Sequence, residues 1–104
     1  MKFLSLFFTL VLLVVLASPV LAADDAKARG LFNSLGCKGC HSFEGSGGTL
    51  GPALDGVGKR LSKEQIKTKM LDPKATNSAS MMPTYGHLDT ADLEALIDFL
   101  ADQK

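Results

Sequence analysis

Residues 37–41 read Cys37-Lys38-Gly39-Cys40-His41, and the rest of the chain takes its meaning from them. Two cysteines three positions apart, with histidine directly after, form the attachment pattern of c-type haem. The reason is geometric. On one helical turn the two sulfurs reach the two vinyl-derived carbons of a porphyrin, and the next imidazole points at the iron, which makes His41 the proximal ligand. Three other chemistries use cysteines so placed and stay open at this point. A dithiol redox pair needs a βαβ framework, for which the sequence has no signal. A zinc site would recruit Cys37, Cys40, His41 and His87, although the adjacent Cys40 and His41 fit one tetrahedron poorly. A structural disulfide would suit an exported chain, at the cost of a tight loop.

Upstream of the motif lies a segment with its own layout. Lys2 precedes an apolar run from Phe3 to Leu16 broken only by Ser5 and Thr9, and Val20-Leu21-Ala22 offers a small-residue cleavage site before Ala23. This is the three-part pattern of a secretory signal peptide, expected over residues 1–22 and cleaved there. The competitor is an uncleaved anchor, since residues 3–23 are just long enough to span a bilayer; Ser18 and Pro19 interrupt the run against it. Cleavage leaves 82 of the 104 residues, with 10 basic and 11 acidic side chains, as one domain over 23–104. Near-zero net charge argues against nucleic-acid binding by bulk electrostatics. The length excludes a dinucleotide-binding domain paired with a substrate domain. At this size one apolar core is marginal, and with no Trp and a single Tyr something besides side chains is expected to fill the middle.

Strand signals are nearly missing, so the expected class is all-α. Ala28, Leu31, Phe32 and Leu35 fall at i, i+3, i+4 and i+7, one apolar stripe on a helix. Asp24 and Asp25 are expected at its start, where carboxylates suit the dipole, and Gly36 at its exit. A second helix begins at Ser62, with Gln65 completing a capping box and Leu61 placed to staple onto Ile66; Asp72-Pro73 ends it. A third begins at Asp89, with a Leu88/Leu93 staple and the stripe Leu93, Leu96, Ile97 and Leu100, flanked by Phe99. Between them, Gly45–Gly58 carries six glycines and Ala75–Ser80 is small and polar. Such long loops stay ordered in a small domain if they wrap a large rigid object.

Four features now stand in order: Cys37–His41 after a helix, Gly51-Pro52-Ala53-Leu54, Met82-Pro83 before a turn, and the last helix. In this order and spacing the chain resembles the class I c-type cytochromes, small single-haem electron carriers of the bacterial periplasm, over nearly all of residues 25–103. The resemblance implies an all-α cytochrome c fold, three main helices and their loops wrapped around one haem c bound covalently through Cys37 and Cys40. It implies that the Pro52 carbonyl accepts the proton of His41 Nδ1, which leaves Nε2 for the iron; without the resemblance Gly51-Pro52 reads as a simple turn. It makes Leu54 an apolar contact to the ring. Gly30 and Phe32 would meet Leu96 and Phe99 where the first and last helices cross, with the glycine allowing close approach. Met82 matches the axial methionine, a soft ligand that raises the potential. The chain departs from the family by doubling this residue, so Met81 is a rival, and His87 is another. Met70 reads as core, at i+4 from Ile66.

With His41 and Met82 both on the iron there is no open site for substrate, and the expected function is one-electron transfer rather than catalysis. The expectation is a soluble periplasmic monomer with no membrane anchor after cleavage, exchanging electrons with redox protein donors and acceptors in transient complexes. An open or labile sixth position would instead give a ligand sensor or small peroxidase, and an electron-entry subunit of a larger enzyme is a third possibility. Basic residues concentrate at 59–74 and acidic ones at 88–104; this separation would orient encounters, or simply mark solvated helix faces.

Overall fold

A computed structural model describes the backbone of residues 20–104 and the side chains from Asp24 onward. Among the described residues the fold is all-α apart from one hairpin of two-residue strands. Helix α1 spans Val20–Ser34. It is already helical at Val20, upstream of the start that the sequence suggests, because nothing in Val20-Leu21-Ala22-Ala23 interrupts a helix. Asp24 and Asp25 therefore lie beyond its first turn rather than at its start, and Asp25 pairs with Arg29 one turn further on. The exit is as expected: Gly36 takes the left-handed conformation at φ 74°, which glycine adopts without a Cβ penalty. The signal-peptide reading rests mainly on residues 1–19, which lie outside the described residues. Among the described residues, no helix is long and apolar enough to cross a membrane.

After Gly36 the chain makes a 3₁₀ turn at Cys37–Gly39 and then a hairpin of β1, Ser42–Phe43, and β2, Ser46–Gly47. The strands are antiparallel, with Ser42 opposite Gly47 and Phe43 opposite Ser46. No periodicity announces it, since two-residue strands are too short to alternate. Its turn is Glu44-Gly45, at φ 51° and 86°, the doubly left-handed pair that suits the twist of a tight hairpin. Glu44 is held there from two sides. Its N–H donates to Asp55 Oδ1 at 3.0 Å, and its carboxylate pairs with Arg29.

Helix α2, Val57–Arg60, is one turn that begins at the end of the glycine-rich stretch, where the sequence predicts loop. Helix α3, Lys63–Leu71, carries the full capping box between Ser62 and Gln65. A 3₁₀ turn at Pro73–Ala75 follows its end at Asp72. Helix α4, Thr90–Ala101, is capped by Asp89, which accepts the Asp92 N–H at 2.8 Å.

The core lies where α1 crosses α4. Ala28 and Phe32 from α1 meet the α4 stripe Leu93, Leu96, Ile97 and Leu100, and Ile66 and Met70 join from α3. Phe32, Phe43 and Phe99 form a triangle with ring centroids 5.2, 6.1 and 5.9 Å apart, within the range of favourable aromatic pairs. Arg29 covers two of these rings, 5.2 Å from Phe99 and 5.9 Å from Phe43. One expectation fails here. Gly30 is exposed, and a Cβ on it would meet nothing within 4 Å, so it plays no part in the crossing. Ala28, one-hundredth exposed, is the small residue that α4 packs against. Glycine is required elsewhere: a Cβ on Gly58 would lie 2.0 Å from the Ala101 carbonyl oxygen, and the Gly58 N–H donates to Gln103 O at 2.8 Å. That contact ties α2 to the end of α4.

The two charge blocks interleave in space. Lys63 pairs with Asp98 at 2.7 Å, Lys67 with Glu94 at 3.3 Å and Lys27 with Asp92 at 3.1 Å. Three of the five acids in 88–104 are thus neutralised locally, and the separation seen along the sequence is much reduced across α3 and α4.

Candidate haem site

The site is built on the turn at Cys37–Gly39. The His41 and Cys40 N–H groups both donate to Cys37 O, at 3.0 and 3.3 Å, and this coil places both sulfurs and the imidazole on one short stretch. Cys37 is half-buried and packs against the core; Cys40 is exposed, and the two are not joined to each other. Burial pushes the Cys37 thiol above its ordinary pKa. Among the described residues, no group of three or more His, Cys, Asp or Glu side chains converges as a metal cluster. The zinc arrangement of Cys37, Cys40, His41 and His87 is therefore not assembled. The dithiol reading lacks its framework as well, since the only sheet among the described residues is the hairpin.

The loop after the hairpin folds back along the motif. The Gly48, Gly51 and Leu54 N–H groups donate to Lys38 O, Cys40 O and Ser42 O, at 2.8, 2.8 and 2.9 Å. This zipper delivers Pro52 to His41, whose Nδ1–H donates to the Pro52 carbonyl at 2.7 Å. The bond fixes the tautomer and leaves Nε2 with its lone pair for a metal. Gly51 lies flat against the imidazole, and a Cβ there would be 2.4 Å from His41 Cε1. The sequence reading treated Gly51 as part of a turn; its contact with the ring depends on the zipper, which spacing does not reveal. Leu54 is buried.

The methionine pair separates cleanly. Met81 is 81% exposed, whereas Met82 is half-buried against the core and donates its N–H to the Ser80 hydroxyl at 3.3 Å. His87 is exposed. Met70 is buried core, as expected. Tyr85 was not singled out from the sequence: it is buried, and its ring centroid lies 6.3 Å from that of His87. Burial raises the pKa of its phenol, and the charges of Cys37 and Cys40 raise it further.

This donor set fits a covalently attached haem. It offers two unpaired thiols one turn apart, an imidazole with its outer nitrogen tied off and its inner one free, a bare glycine beneath that ring, and a thioether turned toward the core. The comparisons agree. The chain matches the cytochrome c family model over residues 26–104, and it belongs to that family. Cytochrome c domains are haem-binding electron carriers, and the cysteine pair they need stands at Cys37 and Cys40. The chain is also 30% identical, over 86 residues, to cytochrome c oxidase subunit 2 of Alkalihalophilus pseudofirmus. That match covers 75% of this chain but spans only 25% of the relative's length. No solved structure matches the chain.

Proposed function

We propose that the chain is a single-haem electron carrier of the exported compartment, with His41 and Met82 as axial ligands and haem c bound through Cys37 and Cys40. When bound, the haem supplies one-electron cycling between Fe(III) and Fe(II). The chain's residues hold the ligands still. The His41–Pro52 bond carries the proposal, because it presents Nε2 in the one tautomer that can bind iron. Gly51 removes the side chain that would push the imidazole aside, Leu54 keeps the surroundings apolar, and the exposure of Met81 leaves Met82 as the thioether on the core side. With both axial positions filled, no site remains for substrate. The signal-peptide reading of residues 1–22 belongs to the same proposal, with cleavage placing the domain outside the cytoplasm as a monomer. N-terminal sequencing of the exported protein tests that part.

The relative supports a second reading of the partner: a domain like this one can serve a larger oxidase. Electron entry into such an enzyme and free shuttling use the same haem chemistry. Copurification with an oxidase, against recovery as a lone monomer, separates them.

The deciding experiment is an optical redox titration of the holoprotein, wild type and Met82→Ala. A low-spin ferric spectrum with a sulfur-to-iron charge-transfer band is expected, lost in Met82→Ala along with a fall in potential; Met81→Ala should leave both unchanged. A high-spin wild type that binds carbon monoxide when reduced would establish the open-site alternative instead.

A further inference from the structure

The acceptor that fixes the His41 imidazole sits on a loop, since residues 51–55 contain no helix or strand. The loop is tied down almost residue by residue. The Gly51 and Leu54 N–H groups donate to Cys40 O and Ser42 O, at 2.8 and 2.9 Å. Ala53 O accepts from the Arg60 guanidinium of α2 at 2.7 Å. The last tie leads to a different element. Asp55 Oδ1 accepts the Glu44 N–H at 3.0 Å, and the Glu44 carboxylate is held by Arg29 of α1.

Glu44 is the residue on which this route turns. Among the described residues it is the one non-glycine at positive φ, 51°, a conformation that strains a Cβ and that glycine adopts freely. What glutamate adds at such a turn is its carboxylate. Arg29 receives that carboxylate with a guanidinium that is itself held. Its Nε donates to Asp25 Oδ2 at 2.9 Å and its Nη1 to Glu44 Oε1. Its plane is further restrained by Phe99 and Phe43, whose ring centroids lie 5.2 and 5.9 Å away. Arg29, Asp25 and Glu44 all remain about half exposed, where ion pairs add little to stability. Strain accepted for so small a gain in stability points to a role in placing the backbone.

Building on the reading of His41 as an axial ligand, we propose that Arg29 is a positioning residue for it: through Glu44 and Asp55, Arg29 braces the loop that presents the Pro52 carbonyl to His41 Nδ1. The brace runs from α1, packed in the core, to the outer end of the loop. Arg60 and the backbone ties hold the loop's fold without it. The brace instead limits how often the carbonyl moves off the ring N–H, and so how constantly the imidazole keeps one tautomer and one orientation. Arg29, Glu44 and Asp55 act as one unit in this, because each reaches the loop only through the next.

The test measures solvent exchange of the His41 ring N–H by NMR, on ferrous holoprotein labelled at histidine. Arg29→Met keeps a long side chain over the two rings but removes the fork. Glu44→Gly relieves the strained φ while removing the carboxylate. Both should exchange the ring proton several-fold faster than wild type, and the double variant no faster than the faster single one. Ser62→Ala, which removes a cap remote from the site, is the control for general loosening and should exchange at the wild-type rate. A wild-type rate in Arg29→Met or Glu44→Gly, additive effects in the double variant, or equal acceleration in Ser62→Ala overturns the proposal. Should Arg29→Met fail to fold, Glu44→Gly against Ser62→Ala decides alone. A wild type that is high-spin when reduced overturns the axial-ligand reading, and the brace with it, before any variant is made; failure of the brace alone leaves a low-spin wild type.

Discussion

At the scale of single residues, the site depends on an atom that is absent. Gly51 can lie against the His41 imidazole only because it has no Cβ. Gly51→Ala must move either the ring or the zipper that holds Pro52, and overpacking of this kind costs about 1–3 kcal/mol. The expected outcome is a lower denaturation midpoint together with a disturbed haem spectrum, because the same shift spoils the His41–Pro52 bond. Tyr85 gives a pH dependence. Burial, and in the free-thiol form the charges of Cys37 and Cys40, raise its phenol above the ordinary value. The folded state thus holds this proton more tightly than the unfolded chain does. The resulting stability is whole below the ordinary phenol pKa of about 10 and is lost as pH rises through the raised folded value. Denaturation midpoints followed into the alkaline range should fall more steeply for wild type than for Tyr85→Phe; parallel curves would refute the assignment.

At the scale of elements, the helices owe their ends to local chemistry and their places to one another. The α3 capping box satisfies two backbone donors at once, Gln65 N–H on Ser62 Oγ at 3.2 Å and Ser62 N–H on Gln65 Oε1 at 2.8 Å. Ser62→Ala should destabilise the protein by about 1 kcal/mol, the usual worth of such a cap, with no change in the haem spectrum. Chemical denaturation measures the first and absorbance the second. The hairpin is a different kind of element. It is too short to be stable alone and survives because Glu44 is tied to Arg29 and Asp55 while Phe43 is buried among aromatic rings. Tertiary contacts create it.

At the scale of the molecule, the Phe32–Phe43–Phe99 triangle joins α1, the hairpin and α4 in one contact. Phe99→Ala opens a hole at that junction and should cost about 3–5 kcal/mol, a large share of the stability of a domain this small. Thermal unfolding of the holoprotein checks it, and a loss below about 1 kcal/mol would mean that the triangle does not hold the elements together. The pairs Lys63–Asp98 and Lys67–Glu94 between the two blocks, and Lys27–Asp92 from α1, belong to this scale too. They leave less charge asymmetry for steering partners than the sequence blocks suggested, and exposed pairs of this kind contribute little to stability.

The sequence by itself determined the attachment turn, the amphipathic stripes of α1 and α4, the caps at Ser62 and Asp89, and the glycine exit at Gly36. These are local rules, each decided within a few residues by geometry and hydrogen bonding. The resemblance added Pro52, Leu54 and Met82 as site residues. Tertiary structure alone decided which methionine faces the core, since Met81 and Met82 are equivalent in composition and differ only in what the folded loop packs against. It alone brought Gly51 under His41 and buried Tyr85, and it moved the demand for a small residue from Gly30 to Ala28 and Gly58. It alone made a strand pair from residues with no strand pattern. Such contacts join positions far apart in the chain, and the physical reason for each lies in the partner rather than in the neighbouring residues.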